Sequence, residues 1–546
     1  MVPGVFKLLM NGWRVEFGRR LLPYDLFRWW GRRPALLLDA IFLDAAGIDD
    51  HLVKSVAEAR LKYRPSDVLN GTVICDPMCG GGTSAFEALF LGASKVICSD
   101  INFASSIVIK ATAKVVEDCS YVVTSLLSMI REVFKELYDI WCINDYCYLH
   151  TFLTRNCNDE YCYALKWVTT IRTRDRPLKI IINERGELEI GSNVTIHDVI
   201  KLPKSKLVEV GKGVYAYAVE MYDLRDPDSR VLASLVVDEF IRSNLHESME
   251  KAVNELSQKC SLIPLGKETR RLIRDGFTCW EHLFTPRQLL TFKKIIEYIY
   301  ERNKDLIEVV SALLATAMGS SSILALYYQP LARVSVGLVV KSFWVPQYPV
   351  ELNPLAGSIE KVKNVGRGTI FTYIRKIMRA CKLLNELGYK GVSDKIEVAV
   401  KDALESDYTH CNIVILDPPY PGKVAYDELT QLYLIPYRLL DVSTPQNAVG
   451  KSVDIYNLNS YTGTLIKLIF RIVDQAPHAK IYLLISNDDK GREVYSRLSE
   501  TLKVKNINMM LMASALAEAT HGLGKGKTRE IMILKIQRAV KETHEA

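Results

Sequence analysis

The segment Val414-Ile415-Leu416-Asp417-Pro418-Pro419-Tyr420 is an apolar run that ends in a carboxylate, two prolines and a phenol. The Asp417 carboxylate and the Pro418 carbonyl can both accept hydrogen bonds, while the prolines hold that carbonyl outward and donate nothing. Two acceptors side by side suit a group with two N–H donors, and Tyr420 offers a face on which a flat ring can stack. The segment predicts a clamp for the amino group of a planar ring, with Asp417, Pro418, Pro419 and Tyr420 as its catalytic residues.

A second set lies far upstream. Thr72-Val73-Ile74-Cys75-Asp76 is a short apolar run that stops at an acid and enters Pro77-Met78-Cys79-Gly80-Gly81-Gly82-Thr83. Residues without side chains let the backbone approach a ligand closely and admit positive φ. The turn is neither a GxxxxGK[ST] nor a GxGxxG pattern, so a nucleotide phosphate is not its expected occupant. An adenosyl group with a methionine tail fits better. We expect Asp76, Pro77, Gly80, Gly82 and Thr83 around S-adenosylmethionine, with Asp100 and Asn102 toward its ribose. Asp402 reads either as a partner of the cofactor's adenine amino group or as an ordinary acid at a strand end.

These residues need elements to position them. Val73–Asp76, Lys95–Asp100, Ile396–Asp402, Asn412–Asp417 and Lys480–Asn487 each read as a buried strand ending in a polar group, and Ser84–Leu91 as a helix stopped by Gly92. That grammar predicts an α/β fold with a parallel sheet whose strand ends share one rim. Val504–Met512 and Arg529–Ile536 predict a terminal hairpin. Residues 117–390 do not continue the pattern. The expected organisation is therefore a Rossmann-like domain in two parts, 1–116 and 391–546, interrupted by a large mixed α+β insertion at 117–390.

Length and composition agree with this. A chain of 546 residues exceeds one ordinary core. Its 49% hydrophobic and 24% charged residues exclude a disordered or fibrous class. Seventy Lys and Arg against sixty-three Asp and Glu give a net charge of +7, compatible with a polyanionic partner. Met1–Arg20 lacks the pattern of a secretory signal, and the uncharged stretch Val309–Ala332 is broken by Gly319-Ser320-Ser321-Ser322, so we expect a cytoplasmic protein with a buried helix pair there and no membrane partner. Twelve cysteines in such a chain point to buried thiols or metal ligands rather than a disulfide framework.

Cys142-x4-Cys147 and Cys157-x4-Cys162 supply enough thiols for a tetrahedral zinc site, with Cys260 or Cys279 as substitutes for one ligand; plain buried cysteines are the equal alternative. Around them Arg155, Lys166, Arg172, Arg174 and Arg176 interleave with Tyr161, Tyr163 and Trp167, which marks a target-recognition region, or a solvated basic face. Arg32 and Arg33 suit phosphate, cofactor or substrate, or a packed helix start. Gly522–Lys527 reads as a mobile hairpin loop, with phosphate contact as the other reading.

Several separated segments resemble the amino-methyltransferases of nucleic acids, and more narrowly the adenine-specific DNA methylases with a zinc-ribbon insertion. Trp29-Trp30-Gly31-Arg32-Arg33-Pro34 resembles that family's WWARRP segment, and Asp76–Thr83 its cofactor turn. Phe284-Thr285-Pro286-Arg287-Gln288 resembles its FTPRQ helix start, and Glu351-Leu352-Asn353-Pro354 its E-x-N-P segment. Asp417–Tyr420 followed by Tyr426-Asp427-Glu428-Leu429 resembles its catalytic loop, although Pro421-Gly422-Lys423 stands where the family places Tyr-Asp-Asn. The resemblance implies a class I methyltransferase sheet, S-adenosylmethionine as donor and DNA adenine N6 as acceptor, with Tyr420, Tyr426, Arg32 and Arg33 toward the substrate. An RNA base methyltransferase, and a nucleic-acid-binding protein that has lost catalysis, are the rival readings.

Overall fold

The computed structural model describes residues 26–48, 67–172, 176–256, 260–334, 343–387, 391–442, 454–518 and 528–538. Its contacts form two compact units: residues 1–119, 380–430 and 444–546, and residues 120–379 with 431–443.

The first unit is α/β. Helix α1 (Ala35–Ala45) precedes β1 (Val73–Asp76), α2 (Thr83–Phe90), β2 (Lys95–Asp100) and α3 (Phe103–Glu117). After the second unit's main segment come β3 (Ile396–Val400), β4 (Ile413–Leu416), α4 (Leu458–Gln475), β5 (Lys480–Ser486), α5 (Asp489–Val504), β6 (Ile507–Glu518) and β7 (Thr528–Arg538). The seven strands form one sheet in the order β3-β2-β1-β4-β5-β7-β6. Neighbours from β3 to β5 are parallel, whereas β7 is antiparallel to both β5 and β6.

Strands covered on both faces must be apolar throughout, which is why β4 and β5 read as unbroken hydrophobic runs. Leu416, Leu468, Ile472, Leu483 and Leu534 meet in the core on one face of the sheet. Helix α1 is tied to the sheet by Asp44, which accepts from Tyr482 Oη at 2.5 Å and pairs with Lys535 Nζ at 2.8 Å. That anchor fixes the Arg32-Arg33 segment immediately before α1. Strand β1 sits where the chain order reverses, with β2 on one side and β4 on the other, so a crevice opens at the carboxyl ends of β1 and β4.

The second unit mixes sheets and helices. Its largest sheet pairs Tyr146–Thr154 with Val214–Asp223 and with Val350–Leu352. Helix Pro286–Arg302 starts with a capping box in which Thr285 and Gln288 satisfy each other's backbone N–H groups. Arg287 follows, fully buried, with Nη2 hydrogen-bonded to Thr151 Oγ1 at 3.1 Å and its guanidinium paired with the Glu351 carboxylate at 2.5 Å. The buried Gln288 Nε2 donates to Leu352 O at 2.9 Å. The FTPRQ-like and E-x-N-P-like segments therefore lock together as one polar cluster inside this unit.

Two expectations are corrected. Val309–Ala332 is broken at residues 319–322 as expected, where the α-helix Ile307–Ser321 ends with Ser322 as its cap, but the second piece is no α-helix: a short strand, Tyr327–Tyr328, and one 3-10 turn, Gln329–Leu331, follow. Among the described residues no helix is long and apolar enough to cross a membrane.

The cysteines pair as six disulfides instead of standing as thiols. Cys142 lies directly opposite Cys147, and Cys157 opposite Cys162, in antiparallel ladders, so each spacing closes on itself across a strand pair. Among the described residues no cluster of three or more His, Cys, Asp or Glu is placed to hold a metal ion. Arg174 and Gly522–Lys527 lie outside the described residues, as does the side chain of Arg172.

Candidate functional site

The first unit carries a cavity of about 310 Å³ at the β1–β4 rim. That is the lower end of the roughly 300–1,000 Å³ typical of small-molecule sites. It brings together Asp76, Pro77, Gly80 and Thr83 from the glycine turn, Asp100 and Asn102 after β2, Asp402 after β3, and Asp417, Pro418 and Pro419 after β4. Arg32, Arg33 and Tyr426 line it as well. Gly82 and Tyr420 are not among its lining residues, though each is joined to residues that are.

The turn after β1 is built on its own carboxylate. Asp76 Oδ1 accepts from Met78 N at 3.0 Å, and its other oxygen accepts from Ser84 Oγ in α2. Gly82 has φ +76°, and a Cβ there would stand 2.8 Å from Ile109 Cγ1. Only a residue without a side chain meets both demands at no cost. Asp100 holds the other side, its Oδ2 accepting from Gly80 N and its Oδ1 from Asn102 N, each at 2.9 Å. Ser105 Oγ donates to Gly80 O at 2.6 Å. Asn102 caps α3 through Ala104 N at 3.0 Å and donates to Thr430 Oγ1 at 2.8 Å.

These acids are buried, and burial disfavours the charged form. Desolvation pushes Asp76 up to about 7, against its bonds from Ser84 and Met78, and Asp100 up to about 6, against its bonds from Asn102 and Gly80. Both can change protonation near neutrality when a hydroxyl or a cation arrives. Asp402 is turned to its own chain, its Oδ1 accepting from Leu404 N at 2.8 Å.

At the end of β4, Arg33 donates to Asp417 Oδ1 twice, from Nε at 2.9 Å and from Nη2 at 2.7 Å. The Arg33 guanidinium carbon lies 4.3 Å from the centroid of the Tyr420 ring. Burial raises the Asp417 carboxyl, and the Arg33 charge and hydrogen bonds pull against that rise without cancelling it. For Arg33, burial is the largest single influence and opposes the charge, but the Asp417 charge and hydrogen bond together with the nearby Tyr420 and Tyr426 hydroxyls outweigh it and hold the guanidinium protonated. Arg32 instead serves the turn, donating to Gly81 O at 3.0 Å and to Phe27 O at 3.1 Å.

Three contributors carried no assigned role in the sequence. Trp29 lines the cavity and stacks on Tyr426, whose hydroxyl donates to Trp30 O at 2.7 Å. The motif-like Trp-Trp pair was the available signal for it. Tyr461 in α4 is fully buried in the electrostatic reach of Tyr420, Asp417 and Arg33, and its hydroxyl has no hydrogen-bond partner among the described residues. Lys423, in the Pro-Gly-Lys departure, pairs with Asp488 at 2.6 Å, and Gly422 N donates to Ile455 O at 2.9 Å. The loop is thus held without the residues that the resemblance leads one to expect there.

Comparison with known proteins finds no matching family model and no matching curated protein. Seven chains of solved structures match. One, described as "Crystal Structure of PH0851", is 12% identical and aligns over 32% of this chain, with a TM-score of 0.17. The match spans 40% of the length of that solved chain.

Proposed function

We propose that this chain is an S-adenosylmethionine-dependent methyltransferase acting on an exocyclic amino group of a nucleic-acid base, foremost N6 of adenine in DNA. The observation that carries the reading is the convergence of Asp417-Pro418-Pro419 with the Asp76–Thr83 turn and Asp100 on one cavity. The strand order 3-2-1-4-5 is that of a doubly wound Rossmann sheet, here finished by an antiparallel hairpin, and it supports a class I methyltransferase fold.

The residues present fit the donor. A buried acid at the end of β2 suits ribose hydroxyls, the glycine turn leaves backbone exposed to a ligand, and Leu404, Leu465 and Leu468 give an apolar wall for an adenine ring. When bound, S-adenosylmethionine supplies a methyl group on a positively charged sulfonium, already activated without a protein nucleophile.

The chain's own residues then orient the acceptor. Asp417 and the Pro418 carbonyl take the two N–H groups of the base, aligning the nitrogen lone pair, and Tyr420 stacks on a base drawn out of its helix. An amino nitrogen that takes up a methyl group has a proton to give up. A carboxylate whose proton affinity burial has raised, as at Asp417, is suited to receive it. The choice of DNA adenine follows the family resemblance of the separated motifs. Mass spectrometry of nucleosides from DNA and RNA of a methylation-free host expressing the protein tests it. N6-methyladenine in DNA is expected, while a modified base confined to RNA moves the activity to that polymer.

A further inference from the structure

The guanidinium of Arg33 is flat and edged with N–H donors. It delivers two of them to Asp417 Oδ1, at 2.9 and 2.7 Å, and lies over the Tyr420 ring at 4.3 Å. A planar donor that is hydrogen-bonded to this carboxylate and lies over this phenol takes two of the contacts that the proposed site offers an amino-bearing base, leaving only the Pro418 carbonyl. We infer that Arg33 is a placeholder: in the ligand-free protein its guanidinium sits in the acceptor's seat, and a base enters only by displacing it. The inference rests on the reading of Asp417 and Tyr420 as the amino clamp, and it adds a resident competitor to that clamp.

A strut meant only to neutralise Asp417 would need charge alone. Arg33 adds a planar group over the Tyr420 ring, and its third nitrogen is held by Gly31 O, to which Nη1 donates at 3.0 Å. Asp417 Oδ1 therefore keeps two donors, and the Tyr420 ring its cover, until a ligand replaces both contacts together. A ring without an amino group can cover Tyr420 but leaves Asp417 without donors. Displacement thus discriminates against such rings, because a site stripped of its hydrogen bonds rejects the ligand that cannot restore them. Arg33 becomes a specificity-determining residue through a contact it must lose.

Binding of 2-aminopurine riboside, a fluorescent ring with an exocyclic amino group, tests this in the full chain. Arg33→Ala should bind the probe roughly tenfold more tightly than the wild type, the equivalent of one competing contact of about 1.4 kcal/mol. Arg33→Lys keeps a cation beside Asp417 but lacks the plane and the fork, and it should shift affinity the same way. Free methylguanidine should compete with the probe in Arg33→Ala, and purine riboside, without the amino group, should show no comparable gain. The inference is overturned if neither variant gains affinity or if methylguanidine does not compete; should Arg33→Ala fail to fold, Arg33→Lys decides alone. Label transfer from S-adenosylmethionine is measured in parallel. Transfer without any affinity gain removes the placeholder and leaves the methyltransferase reading; gain with competition but no transfer does the reverse.

Discussion

Trp29 lies nearly parallel to Tyr426, ring centroids 5.6 Å apart and planes inclined by 23°, with its indole against the glycine turn. A Cβ added to Gly80 would stand 3.0 Å from Trp29 Nε1, and one added to Gly81 would stand 2.8 Å from Trp29 Cγ. One indole therefore packs both the turn after β1 and the segment that follows the Asp417 loop. Trp29→Ala should cost about 2 kcal/mol of stability, less than a fully buried ring, and should weaken binding of S-adenosylhomocysteine; Trp29→Phe should retain most of both. Thermal melts with calorimetric titration check it, and unchanged affinity in Trp29→Ala would remove Trp29 from the cofactor wall.

Gly82 enters α2 with positive φ and no space for a Cβ beside Ile109. Gly82→Ala adds a left-handed penalty to a steric one, together about 1–3 kcal/mol. Urea denaturation should show that loss, accompanied by impaired donor binding, while Gly47→Ala, at a positive φ with open space, should show only the conformational part.

Asp76 gives the ligand-free protein a pH signature. Burial lifts its carboxyl from 3.8 to about 7, so between those values the folded chain keeps a proton that the unfolded chain has released. Folding then takes up a proton, and this residue makes the protein lose stability as pH rises across that interval, with Asp100 adding the same sign up to about 6. In Asp76→Asn the slope of melting temperature against pH should flatten, and above pH 7 the variant should melt higher than the wild type. An unchanged slope would show that the carboxyl is not buried as described.

The Arg287–Glu351 pair is fully buried, so removing one partner strands the other charge. Arg287→Met should cost about 3–5 kcal/mol, while adding Glu351→Leu should restore much of it. Chemical denaturation of the single and double variants measures that coupling.

Much of the first unit was legible because buried parallel strands leave a plain trace. Val73–Asp76, Lys95–Asp100 and Ile413–Leu416 are short apolar runs that meet an acid at or just past one end, and their acids gather on one rim. Which strands become neighbours was not legible. The Arg33–Asp417 contact spans 384 residues, so sequence could nominate both residues but not join them. The cysteines misled because the expected compartment argued for thiols: Cys142 and Cys147 meet across one strand pair, five residues apart, and only pairs such as Cys75 and Cys411, 336 residues apart, lay beyond the reach of spacing. Residues 431–443 belong to the second unit, where the short helix Ile435–Leu439 packs on Pro286–Arg302 and Ile307–Ser321. Its five residues are too few to display a helical period.

Transfer of a labelled methyl group to DNA, compared between the wild type and Asp417→Ala, tests the central claim most directly. The account predicts label on adenine N6 with the wild type and loss of nearly all of it in the variant, with S-adenosylhomocysteine still bound. No label on any base, with wild type and variant equally inert, would contradict it.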